Sequence, residues 1–205
     1  MITVCLIKEI SEVILVKKAT KNMTLSAMFL ALGLVLPFLT GQIPQIGSML
    51  LPMHIPVMLC GLICGWQYGA VVGFIMPLLR SALFGAPVMF PAATAMAFEL
   101  MTYGLVAGLM YGLSRWQCIV ALYRSLIVAM LAGRAVWGVV QVIQLGFSGS
   151  EFTWAAFMSG AFLNAVPGIV IQLILIPAIM AALNRTGLVP YKKRNRKSGE
   201  MESNL

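Results

Sequence analysis

Three ionisable side chains interrupt the long apolar runs of this chain: Arg80, Glu99 and Arg134. A charge at the centre of a membrane helix costs roughly 2.5–3.5 kcal/mol on insertion scales, so it persists where it has a partner or a task. An Arg–Glu pair lowers the cost of burying either charge, and a purely architectural ion pair is one reading of the set. The count still leaves one positive charge over. A guanidinium grips a carboxylate or phosphate at two points, so the surplus points to an anionic ligand. Which arginine faces Glu99 is open at this level. Gln45, Trp137, Gln141, Gln144, Trp154 and Asn164 add amide and indole groups of the kind that orient a small polar ligand in an apolar pocket. The competing roles are an interfacial aromatic belt for Trp154 and interhelical hydrogen bonding for Asn164. His54 is the only histidine. Without Cys or Asp partners it makes a poor metal site, and a capping or pocket-lining role suits it better. The candidate ligand-binding residues are therefore Gln45, His54, Arg80, Glu99, Arg134, Trp137, Gln141 and Asn164.

Other chemistries are disfavoured. Aspartate is absent, which excludes phosphotransfer on a metal-bound Asp cluster. No G-x-x-x-x-G-K loop is present, so the chain does not hydrolyse ATP by that motif. Gly146-Phe147-Ser148-Gly149 has the Gly-x-Ser-Gly form of intramembrane serine proteases, but the signal is short, and the catalytic His on a later helix is missing because the single His precedes it. Cys60 and Cys64 stand one helical turn apart with no further Cys or His nearby, and read as small apolar residues rather than a metal pair. The reading is of a protein with no catalytic residues, no metal and no cofactor of its own. The net charge of +8 invites a nucleic-acid partner. Its placement argues against one, because the basic residues fall between or beyond apolar spans.

The elements that must position these groups are membrane helices. Of 205 residues, 60% are hydrophobic, and the mean hydropathy is +0.95. A soluble domain is nearer half apolar. The pattern predicts an all-α integral membrane protein of six transmembrane helices, with the second and third short. Residues 1–22 read as a cytoplasmic amphipathic segment, residues 23–188 as the membrane domain and residues 189–205 as a basic cytoplasmic tail. The first span covers 24–39, with Asn22 or Thr24 as its cap. A polar loop, 40–48, follows. The second helix, 54–64, is too short for a straight crossing, and a tight turn at 65–69 joins it to a third at 70–84. Short, interrupted membrane helices usually line a cavity. The fourth span covers 92–113, a basic connector 114–124, the fifth span 125–145, a glycine-rich turn 146–151 and the sixth span 153–183. Twelve of the 14 Lys and Arg lie at 1–23, 114–124 and 184–205, and none in the loops on the opposite side. The positive-inside rule then places both termini in the cytoplasm.

Small residues recur at helical spacing. Gly61, Gly65, Gly69 and Gly73 fall every four residues, as do Gly104, Gly108 and Gly112, and both series read as helix-packing stripes. Ala27 and Ala31 stand one turn apart on the first span and let another helix approach closely.

These residues together resemble the substrate-specific S component of an energy-coupling factor (ECF) transporter, the vitamin-uptake class of ABC transporter. The similarity covers about residues 23–188. It rests on the six-helix layout, Ala27-x-x-x-Ala31, the Leu-Pro-Met-His-Ile-Pro segment leading into the short second helix, the glycines at 65 and 69, and the long last helix with Asn164. The resemblance implies capture of a vitamin from outside, near the outer face. It implies docking on a membrane coupling subunit through Ala27 and Ala31, and release inward driven by two partner ATPase subunits that use ATP. It also implies the plasma membrane of a bacterial-type cell. The positive surplus favours an anionic vitamin such as pantothenate or a pyridoxine-related compound, while a cobalamin- or queuosine-type ligand stays open. The alternative class is a stand-alone secondary carrier or membrane scaffold, against which no internal repeat is visible.

Overall fold

The computed structural model describes residues 2–39, 52–114, 117–148 and 166–185. Among these, every regular element is a helix: α1 (Ile2–Leu39), α2 (His54–Cys64), α3 (Trp66–Phe84), a π-helical turn (Met89–Ala93), α4 (Thr94–Leu113), α5 (Ile119–Ser148) and α6 (Val166–Arg185). Five are long and apolar enough to cross a membrane, and α2 is the shorter apolar sixth. At 1.5 Å per residue α2 is about 16 Å long, roughly half the hydrocarbon thickness.

That short helix sits at the centre. Every residue of α2 except Ile63 is buried, as expected for a helix apolar on all sides. Met76, Leu100, Leu122, Leu126, Ile176 and Met180 complete the core around it. α1 runs antiparallel to α2: Asn22 Nδ2 donates to the Cys64 carbonyl at 3.3 Å, and the Cys60 thiol to Ser26 Oγ at 3.5 Å. α4 packs most broadly on α3 and α5, and α6 lies against α2 and α5. Asn22 is thus level with the Gly65 end of the bundle. The preceding residues of α1 continue past that end by roughly 30 Å, at 1.5 Å each.

Lipid tails are as apolar as leucine, so close backbone approach has to supply much of the association energy. The glycines do this selectively. A Cβ on Gly108 would lie 2.6 Å from the Trp66 Cα and 2.7 Å from the Gly61 oxygen, and Gly69 and Gly104 meet backbone to backbone. Gly73 lies against Leu100. Gly65 and Gly112 have open space where a Cβ would stand, so each stripe is a contact over only part of its length. Gly65 is needed for conformation instead: at φ 106° it breaks the chain between α2 and α3. Gly85, at φ 68°, ends α3 and donates its N–H to the Ser81 carbonyl.

Several expected boundaries are corrected. There is no cap at Asn22 or Thr24, because α1 is continuous. The Thr24 and Ser26 hydroxyls bond back to the carbonyls of Thr20 and Asn22, as mid-helix residues do. The turn at 65–69 shrinks to Gly65, since one residue at positive φ suffices to reverse direction. Trp66 to Gly69 become the first turn of α3, whose 19 residues are long enough for a span. The connector 114–124 is shorter than expected, with α5 already under way at Ile119, so Arg124 is helical. Gly146 to Ser148 belong to α5 rather than to a turn. The fourth helix is entered through the π-helical turn and starts at Thr94, not at residue 92. The polar loop 40–48 and the first part of the sixth span lie outside the described residues.

Candidate functional site

Glu99 is the focal residue. It is 2% exposed, on the face of α4 between α2 and α5. Three contacts converge on one of its oxygens, Oε1. Tyr103, one turn along the same helix, donates its hydroxyl at 2.9 Å. Arg134 Nη1 from α5 pairs with it at 3.1 Å. His54 Nε2, from the first residue of α2, stands 3.7 Å away. The His54 and Tyr103 rings lie 5.1 Å apart. All four side chains are buried.

The cluster has polar capacity that the described residues leave unused. Arg134 Nε and Nη2 and both ring nitrogens of His54 are buried without a hydrogen-bond partner among those residues. Such groups ordinarily cost about 1–3 kcal/mol each when left unsatisfied. α2 begins at His54 with no side-chain cap, Met53 standing before it. Its first N–H groups and the positive end of its dipole therefore lie inside the bundle beside Glu99.

Above the cluster, Arg134, Trp137, Gln141 and Gln144 recur at helical spacing on α5. Trp137 and Gln141 are half-buried. Gln144 Nε2 donates to Thr94 Oγ1 at 2.7 Å, tying the Phe84 end of α5 to the start of α4. The α4–α5 contact thus carries polar groups from its Phe84 end down to Glu99.

Arg80 is elsewhere. Its Nη1 donates to the Leu34 carbonyl at 3.0 Å, and its guanidinium lies 5.4 Å from the Phe38 ring and 5.8 Å from the Phe84 ring. Gly73 packs on Leu100 of antiparallel α4, so Arg80 stands about two turns beyond the Glu99 level, roughly 10 Å toward the Phe84 end. The open question of which arginine meets Glu99 resolves to Arg134. The surplus positive charge is Arg80, held by a carbonyl and two aromatic faces where α1 meets α3.

Of the expected residues, the structure brings together His54, Glu99 and Arg134, sets Trp137 and Gln141 on the same stripe, and separates Arg80. Gln45 and Asn164 lie outside the described residues. Ala27 and Ala31 are exposed on α1, opposite the buried face formed by Ser26, Phe29, Gly33 and Pro37. Tyr103 and Gln172 are among the buried residues with polar groups that escaped the sequence reading. Tyr103 was signalled by its i+4 spacing from Glu99. Gln172, 1% exposed and with Nε2 unpartnered among the described residues, was signalled as the one polar side chain between Val166 and Leu183.

A family model described as ECF transporter, substrate-specific component, matches residues 21–180. The chain belongs to that family. No curated protein and no solved structure matches it. As an ECF substrate-specific component it is a multi-pass membrane protein that binds a small molecule for transport and works with coupling and ATPase subunits. It is not an enzyme.

Proposed function

We propose that this S component captures a vitamin or a closely related small molecule from outside a bacterial-type cell at the Glu99–Arg134–His54–Tyr103 cluster. It then presents that molecule to a coupling subunit and two ATPases for uptake. The observation that carries the reading is the set of buried polar atoms, the Arg134 Nε and Nη2 donors and the His54 ring nitrogens, that lack a hydrogen-bond partner among the described residues. A membrane protein keeps such groups dry at a cost that a bound molecule offsets. Both termini are cytoplasmic in this reading, with residues 1–22 and the basic tail 189–205 on that side and the Phe84 end facing out. Trp137 and Gln141 line the approach, and Gln45 and Asn164, outside the described residues, are proposed as further ligand-binding residues. Ala27 and Ala31 meet the coupling subunit, which their exposure and small size support.

The test is reconstitution. Proteoliposomes holding this chain with an ECF module should take up the molecule that co-purifies with it, identified by mass spectrometry, only when ATP is enclosed. Accumulation by this chain alone would instead make it a secondary carrier.

A further inference from the structure

The surplus-charge argument for an anionic ligand does not transfer to the cluster, because Arg80 stands apart and Arg134 is balanced by Glu99. The geometry supplies a different argument. Glu99 takes Nη1 of Arg134. Nε and Nη2, the atoms left without a partner among the described residues, form the other edge of the guanidinium, and their N–H bonds run parallel. That edge is a ready two-point donor in a residue only 6% exposed.

We infer that this edge receives a carboxylate of the transported molecule, with His54 and the N-terminus of α2 beside it; the inference rests on the site proposed above. Glu99 is then a positioning residue. Pinned by the Tyr103 hydroxyl, it holds the guanidinium so that the free edge is presented. A single carbonyl would satisfy one of the two parallel donors and strand the other in a dry core. A carboxylate is planar, carries two oxygens at the matching spacing and forms charge-assisted bonds with both. Its charge meets the guanidinium directly and Glu99 only across it, so attraction exceeds repulsion. A phosphate would bring up to two charges toward the same Glu99, which argues against it. His54 supplies a further ring donor, and the uncapped α2 start contributes a fixed positive field.

The experiment is equilibrium dialysis of the purified full-length protein against an equimolar mixture of water-soluble vitamins. The carboxylates are nicotinate, pantothenate, biotin and folate. The members without one are nicotinamide, pantothenol, biotinamide, riboflavin, thiamine and pyridoxine. Wild type should retain a carboxylate member, at least about tenfold over its amide or alcohol where one is present. Arg134→Lys keeps the charge facing Glu99 but loses the fork, and should lower retention roughly ten- to a hundred-fold with an unchanged elution profile. The double variant Glu99→Gln/Arg134→Gln, which strands neither charge, should stay folded and retain nothing. Retention of an uncharged member that Arg134→Lys abolishes would overturn this inference and leave the site reading standing. Retention of a carboxylate member untouched by Arg134→Lys would overturn it too. Retention of no member by wild type would overturn the site reading and this inference with it.

Discussion

Glu99 draws contacts from three helices onto a single oxygen, and that asymmetry governs what each partner contributes. Tyr103 is the contact internal to α4. Its hydrogen bond is to a charged acceptor, worth about 1.5–3 kcal/mol. Tyr103→Phe should lower stability by that order, read from thermal unfolding in detergent, and should loosen Arg134 by freeing Glu99 to rotate. An unchanged melting temperature would show that the Arg134 contact alone fixes the carboxylate. The buried charges were legible in the sequence because an ion in an apolar run stands out one residue at a time. Their pairing was not. Two arginines on different helices compete for one carboxylate, and helix register decides between them. Gly73 against Leu100 is the contact that sets Arg80 two turns too far along. Gln172 was passed over because an uncharged amide in an apolar helix stands out less than an ion does.

At the scale of elements, α2 was legible end to end, since Pro and Gly bound it on both sides. The neighbouring boundaries were not. A run of Gly-Trp-Gln-Tyr-Gly reads as a turn, but only Gly65 adopts a non-helical, positive-φ conformation, and the rest propagates as helix. The glycine stripes separate packing from mere recurrence. Gly108→Ala places a Cβ against the backbone of Trp66 and Gly61. It should cost about 1–3 kcal/mol through overpacking. Gly112→Ala, one turn on with open space, should be neutral or stabilising by up to about 1 kcal/mol through helix propensity. Equal effects in thermal unfolding would mean that the stripe is not a packing contact. The outward face of α1 makes the opposite case. Ala27→Leu and Ala31→Leu touch nothing buried in the bundle, so binding by the isolated protein should survive while uptake with the full transporter fails. Loss of both would assign the pair to internal packing instead.

For the whole molecule, six apolar helices were legible because composition acts over the full length, and the family through its resemblance, carried by the helix layout, Ala27-x-x-x-Ala31 and the Leu-Pro-Met-His-Ile-Pro segment. What composition cannot state is how α1 continues past the bundle, where a separate amphipathic segment, 1–22, and a cap at Asn22 or Thr24 were expected. The charge asymmetry is what supports the proposed orientation, and labelling tests it. A cysteine at Ser148 should react with a membrane-impermeant maleimide on intact cells, and one at Arg196 should react only after lysis. The reverse would turn the cluster's approach toward the cytoplasm and remove capture from outside.

The cluster and the surplus arginine make opposite claims on the bound molecule, so one comparison tests the account directly. Native mass spectrometry of the full-length protein, purified from cells and ejected from detergent, reads occupancy without knowing the molecule in advance. Wild type and Arg80→Gln should both carry the same added mass, because Arg80 serves the α1–α3 contact. Arg134→Lys, folded by the same measurement, should fly without it. An Arg134→Lys protein that keeps the full added mass, or an Arg80→Gln protein that alone loses it, would contradict a substrate site built on Glu99 and Arg134.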